Sequence, residues 1–147
     1  MDRELTDQIH SEVTRLSAAG DSLADAGDYL RAVQQFEIAV ALLPAPVEKW
    51  TAATWLFTAI GDCYFLADDF ESARVALNRA QLCPDSLDNP FIWLRRGQVY
   101  YELGDTRLAD DCLASAYTLG GTEVFAREAP KYVHYILAKL QPPETPN

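Results

Sequence analysis

The sequence predicts an all-α fold made of three consecutive helix–turn–helix repeats. Three windows of the chain, residues 16–44, 57–84 and 93–121, align on one shared pattern. Apolar residues recur in each window at intervals of three and four, which is the period of an amphipathic α-helix. A short turn interrupts this period near the middle of every window, and it reads GDY, DDF and GDT in turn. Helix, turn and helix recurring along a chain are typical of helical repeat proteins.

Small residues occupy matching places in the three windows. The glycines of the first helices are Gly20, Gly61 and Gly97, spaced by 41 and then 36 residues. The inserted segment PAPVEKW, residues 44–50, accounts for the longer spacing. The matching residues of the second helices are Ala32, Ala73 and Ala109, then Phe36, Leu77 and Leu113, then Ala39, Ala80 and Ala116. Small residues let two backbones approach, so we expect Gly61 to pack on Ala73 and Gly97 on Ala109.

The turn residues indicate where each first helix ends. Gly27 and Gly104 can adopt the positive φ that stops a helix, because glycine has no Cβ. The second window has Asp68 at this place, and Asp tolerates that conformation moderately.

The flanks complete one predicted domain, residues 1–140. Its repeats are predicted at about 13–44, 54–85 and 90–121. Residues 2–12 are expected to extend the first helix, and residues 122–129 to form a short helical connector. Residues 130–140, PKYVHYILAKL, predict a final helix that begins at a proline and caps the last repeat. Residues 141–147, QPPETPN, are expected to form a flexible tail.

The composition is that of a folded, acidic protein. The 147 residues include 12 Lys and Arg against 22 Asp and Glu, a formal net charge of −10. Nucleic-acid binding depends on clustered Lys and Arg, so we expect no nucleic-acid partner. The charge suits one basic protein partner, because opposite charges speed encounter and aid selectivity. Many soluble proteins are acidic without such a partner, and that alternative stays open.

No catalytic, cofactor or metal site is predicted. The glycines are isolated and lie at repeat positions, which does not fit a phosphate-binding loop. Cys63, Cys83 and Cys112 are far apart, and His10 and His134 lie near opposite ends of the chain. We therefore expect no enzyme, no cofactor and no bound metal. The start of the chain lacks a secretory signal, and no apolar run reaches about 20 residues, so we expect a cytoplasmic protein without a membrane partner.

At the repeated positions the chain resembles the tetratricopeptide-repeat (TPR) family. The third window matches the family pattern best, with Trp93, Gly97, Tyr100, Gly104, Asp105, Ala109 and Ala116. The second matches with Phe57, Gly61, Tyr64, Phe70, Ala73 and Ala80, and the first from Gly27 to Pro44. The resemblance covers about residues 13–121. It implies a right-handed helical solenoid of about three repeats, closed by the capping helix 130–140.

In this family the first helix of each repeat lines a concave inner surface, which selects candidate partner-binding residues. The predicted partner-binding residues are Trp55, Thr58, Asp62, Phe65, Phe91, Leu94, Gln98 and Tyr101. The matching positions of the first repeat are Thr14, Ser17, Asp21 and Ala24. Aromatic anchors with a few polar groups suit protein recognition. If the final helix or the insert folds over these positions, Phe91 and Tyr101 are ordinary core instead, and both alternatives stay open.

Two further pairs of residues are candidates for a role. Arg95 and Arg96 are adjacent and cannot both face inward on one helix, so we expect a salt bridge to an acidic helix on a solvated face. Trp50 and Trp55 are five residues apart and point in different directions. One of them is expected in the core and the other at the rim of a binding surface.

The chain also resembles small TPR proteins of bacterial toxin loci. The segments that carry this resemblance are IGDCYF, NPFIWLRRGQVYYELGD, LASAYTLGGTEVF and PKY, mainly within residues 50–135. It implies an immunity protein that binds and neutralises a cognate toxin, and the acidic charge would suit a basic toxin domain. Small acidic three-repeat chains also resemble type III secretion chaperones, which hold an extended segment of a secreted subunit. A structural adaptor or a homodimer is the third alternative.

Overall fold

The computed structural model describes residues 5–141, which form helices joined by turns and contain no strand. The fold class is therefore all-α, as predicted. The α-helices are α1 (Asp7–Asp25), α2 (Tyr29–Ala41), α3 (Thr51–Leu66), α4 (Phe70–Gln81), α5 (Pro90–Leu103), α6 (Thr106–Gly120) and α7 (Pro130–Leu140). Two short 3₁₀ helices lie at Val47–Lys49 and Gly121–Phe125. Within residues 5–141, no helix has both the length and the apolar character needed to span a membrane.

Backbone contacts group the chain into two compact units, one within Met1–Leu87 and the other within Asp88–Asn147. In the N-terminal unit, α1 packs on α2, α2 on α3, and α3 on α4. In the C-terminal unit, α5 packs on α6, and α7 and the second 3₁₀ helix contact α6. The prediction of one domain over residues 1–140 stays a prediction.

The three turns have one common geometry. Gly27, Asp68 and Gly104 adopt φ values of 80°, 62° and 82°. The N–H of the following aspartate donates to the carbonyl oxygen five residues earlier, at 2.8, 2.9 and 2.9 Å. This bond caps the carbonyl end of each first helix. Asp68 adopts a positive φ although this conformation is unfavourable for a residue with a side chain. Because its turn has the same geometry as the turns at Gly27 and Gly104, the second window repeats the first and third.

Two of these aspartates also begin the second helices. The Asp69 carboxylate accepts a hydrogen bond from the Ser72 N–H at 3.1 Å, and Asp105 accepts one from the Leu108 N–H at 3.2 Å. Side-chain caps of this kind stabilise a helix by about 1 kcal/mol. A single residue therefore closes one helix and starts the next.

The flanks agree with the prediction where they are described. Thr6 caps α1 by accepting from the Ile9 N–H at 3.2 Å, so the first helix is extended back to Asp7. The final helix begins at Pro130, as predicted. The connector is a 3₁₀ helix followed by a turn. Residues 1–4 and the tail residues 142–147 lie outside the described residues.

The glycines of the first helices pack on a larger partner than predicted. A Cβ placed on Gly61 would lie 2.5 Å from the Leu77 side chain, and one on Gly97 would lie 2.6 Å from the Leu113 side chain. The expected contacts with Ala73 and Ala109 are therefore not the nearest ones. A helical side chain leans over the turn N-terminal to its own Cα. Leu77 and Leu113 each lie four residues after the alanine that was expected to contact the glycine, so the leucine side chain reaches back and covers the glycine instead.

We expect Gly97→Ala to lower the free energy of unfolding more than Gly61→Ala does. The new methyl group would meet the Leu113 backbone nitrogen at 3.0 Å as well as its side chain, whereas at Gly61 the nearest atoms all belong to the Leu77 side chain. Overpacking costs about 1–3 kcal/mol, and the gain in helix propensity offsets up to about 1. Urea unfolding of both variants measures the difference; equal stabilities would show that the contact is loose.

Candidate functional site

Four of the predicted partner-binding residues lie on α3, in the N-terminal unit. Trp55 is 73% exposed, although it is the largest side chain of the set. Thr58, Asp62 and Phe65 are half-buried. The Thr58 hydroxyl donates to the Thr54 carbonyl oxygen at 2.6 Å. The Phe65 ring packs on Phe70 with a centroid distance of 5.7 Å. Trp55 is thus the large anchor of this set that stays open to solvent.

A groove of about 900 Å³ runs between α1 and α3 beside Trp55. Its lining, which defines the α1–α3 groove, consists of Leu5, Asp7, His10, Val13, Thr14, Ser17, Ala18, Asp21, Trp50, Thr51, Ala52, Trp55 and Leu56. Trp50 is half-buried, and its indole N–H donates to the Pro44 carbonyl oxygen at 2.7 Å. Trp50 is therefore the fixed wall of the groove and Trp55 its exposed rim, which answers the question that the sequence left open.

The α1 side of the groove is one continuous stripe of side chains. Its members follow each other at intervals of three and four, and they are Asp7, His10, Thr14, Ser17 and Asp21. Such spacing keeps side chains on one helix face. From Asp7 to Asp21 the helix rises about 21 Å, which matches an extended segment of about six residues. Sequence reasoning found the part of this stripe from Thr14 to Asp21 and missed Asp7 and His10, which precede the first repeat.

The charge of the groove is negative. Its charged lining residues are Asp7 and Asp21, and no described lining residue is Lys or Arg. Burial, and then the charge of Asp25, raise the pKa of Asp21. Burial also raises the pKa of the Cys63 thiol to about 11, with smaller contributions from the charges of Asp62 and Asp21. These two carboxylates, one from each helix, therefore act on the same thiol.

In the C-terminal unit, two of the predicted partner-binding residues are not accessible. Leu94 and Gln98 have 0% exposed surface. The Gln98 side chain accepts a hydrogen bond from Arg95 at 2.8 Å and donates one to Glu128 at 2.8 Å. This corrects the prediction that both contact a partner. The segment after α6 brings Glu128 onto α5, so a position that the repeat leaves open is filled from within the chain.

Arg95 also departs from expectation. It forms a salt bridge with Glu128, which lies in the turn before α7 rather than on an acidic helix, and it is 5% exposed rather than solvated. Its guanidinium carbon also lies 5.0 Å from the centre of the Phe91 ring, which is half-buried. Arg96 is half-buried and lies over Trp93, 5.2 Å from the ring centre. The adjacent arginines therefore pack on aromatic rings in different places.

Tyr101 is packed under the final helix. Its ring meets Tyr132 and Tyr135 edge-on, with centroid distances of 5.3 and 5.1 Å. The Tyr132 hydroxyl donates to Glu102 at 2.6 Å, and the Tyr135 hydroxyl donates to Asp110. The latter bond, followed by burial, raises the pKa of Tyr135 to about 12. These contacts place Tyr101 in the packing between α5 and α7.

Comparison with solved structures places this geometry among known folds. PcrH in complex with the chaperone binding region of PopD is similar, with a TM-score of 0.70, 20% identity, and coverage of 96% of this chain and 100% of that one. The second TPR domain of human RPAP3, solved with the HSP70 peptide SGPTIEEVD, has a TM-score of 0.68, 16% identity, and coverage of 91% and 99%. The chain has the tetratricopeptide-repeat fold. SycD of Yersinia enterocolitica with a peptide of the translocator YopD gives a TM-score of 0.68, 13% identity, and coverage of 88% and 95%.

The similarity of this chain to TPR domains is a similarity of fold. No protein-family model matches the chain, and no curated protein matches its sequence. Across residues 5–141, no three His, Cys, Asp or Glu side chains are placed to share a metal ion. In TPR terms the structure consists of three helix pairs followed by α7, and the α1–α3 groove lies between the first helices of the first two pairs.

Proposed function

We propose that this chain is a protein-binding TPR module that holds an extended segment of a partner protein in the α1–α3 groove. The observation that carries the proposal is the exposure of Trp55, 73%, on the rim of that groove. Tryptophan is among the residues that most often dominate binding energy at protein interfaces. A groove with an apolar floor and a few polar groups is the usual form of such a site.

A comparison between two helices of the chain supports this proposal. Both α3 and α5 carry apolar residues around most of their circumference, which predicts a helix covered on all sides. On α5 the chain supplies part of that cover itself, through Glu128, Tyr132 and Tyr135. On α3 the apolar side chain of Trp55 is left in solvent. A bound segment would supply the cover that α3 lacks.

The finer function that we propose is that of a chaperone-type holder for a segment of another protein. Two similar structures support it, because PcrH and SycD were solved with a chaperone binding region or a peptide of a translocator. The open, extended groove has the dimensions of such a segment. We keep the cytoplasm as the proposed compartment, since Cys63, Cys83 and Cys112 are free thiols.

An immunity protein is the second candidate. The net charge of −10 favours it, because it suits capture of a basic toxin domain. A folded toxin would contact a broad surface, whereas a chaperone client would lie along one groove. Thr58, Asp62, Phe65 and Phe91 do not line the α1–α3 groove, so they stay proposed contacts only for the broader surface of a folded partner.

Trp55→Ala is expected to weaken partner binding by about 1–4 kcal/mol and to leave the helical spectrum unchanged, because the ring is exposed. Leu82→Ala is the matched control, since Leu82 is 75% exposed and lies outside the groove lining. Affinity capture from host lysate with the three proteins, followed by hydrogen exchange on the complex, measures the effect. The groove assignment would be overturned if Trp55→Ala still bound the partner. It would also be overturned if the bound partner slowed the hydrogen exchange of amides outside α1 and α3.

The same captured partner separates the two candidate functions. A segment that is unfolded when alone, and that a short peptide replaces, supports the chaperone-type holder. A folded protein that is toxic when expressed without this chain supports immunity.

A further inference from the structure

We infer that the segment bound in the α1–α3 groove is apolar in its middle and carries lysine or arginine where it lies over Asp21. This inference rests on the proposed function and specifies the chemistry of the partner. It excludes partners that present an acidic tail.

The carboxyl ends of α1 and α3 are both unusually negative. Neither helix has a basic residue in its last turn. Asp25 lies in the last turn of α1, and Asp21 and Asp62 lie one turn earlier on the two helices. Consecutive packed helices alternate in direction, so α1 and α3 run the same way and their carboxyl ends lie at the same end of the groove.

Helix stability does not explain this arrangement. The carboxyl end of a helix carries a partial negative charge, which favours lysine or arginine there and disfavours aspartate. Burial and repulsion from Asp25 raise the pKa of Asp21, so its negative charge has too little compensation within the chain. A cation from a bound partner would supply the missing compensation.

The middle of the groove selects apolar side chains. Val13 and Leu56 form its buried floor, and Trp55 stands at its rim. An aliphatic side chain laid on this floor would be removed from water, which favours binding. Thr14 and Ser17 line the α1 side and offer hydroxyl groups to the backbone of an extended segment.

A related complex shows the opposite chemistry. The second TPR domain of human RPAP3 was solved with SGPTIEEVD, a peptide that contains two glutamates and one aspartate and no lysine or arginine. In the present groove those carboxylates would face Asp7 or Asp21, and like charges placed together across an interface weaken binding. The fold is shared, but the groove chemistry of this chain fits a basic segment.

The test uses the full chain and two capped synthetic peptides of about eight residues, long enough to span the groove. Both have the same leucine and alanine core; one has lysine at each end, and the other has glutamate at each end. Lysine at both ends makes the result independent of the direction of binding. Calorimetric titration is repeated with Trp55→Ala, with Asp21→Asn and with the surface control Asp111→Asn.

We expect the lysine peptide to bind at least about tenfold more tightly than the glutamate peptide. The ratio of the two affinities should become smaller in Asp21→Asn and at high salt. It should stay unchanged in Asp111→Asn. If both peptides bind with equal affinity, the charge preference is overturned. If Trp55→Ala then abolishes the binding of both peptides, the groove remains the binding site. Peptide binding that is indifferent to Trp55→Ala would overturn the proposed groove itself, and absence of binding by the lysine peptide would overturn the inferred chemistry.

Discussion

Replacing Glu128 with alanine should lower the free energy of unfolding of the C-terminal unit by about 3–5 kcal/mol. Glu128 accepts hydrogen bonds from both Arg95 and Gln98, and these partners are 5% and 0% exposed. Without the carboxylate, the buried guanidinium would lose its ion pair with Glu128. Removing one partner of a buried ion pair costs more than the net strength of the pair, because the remaining charge stays out of water.

Hydrogen exchange resolved along the chain measures this loss, because it reports on the C-terminal unit separately from the N-terminal one. Glu123→Ala is the matched control, since Glu123 lies in the adjacent 3₁₀ helix and is exposed. Arg95→Met combined with Glu128→Leu removes both charges and should recover much of the stability. A Glu128→Ala protein as stable as the parent would mean that the buried Arg95 side chain does not depend on the Glu128 carboxylate.

The repeats could be predicted from the sequence because each rests on local physical requirements. The positive φ at Gly27 and Gly104 needs glycine or a tolerant residue, and Asp68 meets the same need in the second window. The final helix was predictable from its apolar period and from Pro130 at its first turn. Each of these signals lies within a few residues of the element that it determines.

The residues that contact the glycines were harder to predict from the sequence. The sequence shows that Gly61 and Ala73 are both small, which suggests that they meet. In the structure the Leu77 side chain reaches back over the glycine instead. This contact depends on the direction in which a side chain points along its helix, and the period of the apolar residues does not predict that direction.

The candidate site was predictable only in its N-terminal half. Trp55 and the stripe from Thr14 to Asp21 border the groove, as the inner positions of a repeat should. Leu94 and Gln98 occupy the corresponding places on α5, yet the chain itself buries them. Gln98 is hydrogen-bonded to Glu128, which is 30 residues away in the sequence. The apolar circumference of α5 was the available signal, because such a helix is normally covered on all sides.

Tyr101 decides between the two alternatives that the sequence left for the α5 aromatic residues. We expect Tyr101→Ala to destabilise the C-terminal unit by about 2–4 kcal/mol, somewhat below the cost for a fully buried aromatic, because Tyr101 is half-buried. The ring forms edge-on pairs with Tyr132 and Tyr135, and each such pair adds about 0.5–1.5 kcal/mol beyond the buried area. Loss of the ring would remove both pairs and loosen α7.

Tyr101→Phe separates packing from hydrogen bonding, because it keeps the ring and removes only the hydroxyl. If packing is the role of Tyr101, this variant should lose less than about 1 kcal/mol, while Tyr101→Ala exposes the amides of α7 to exchange. A partner-binding role predicts the reverse, with Tyr101→Ala folding normally and losing its partner. The contacts with Tyr132 and Tyr135 favour the first result, since a ring held between two others has little surface left to offer.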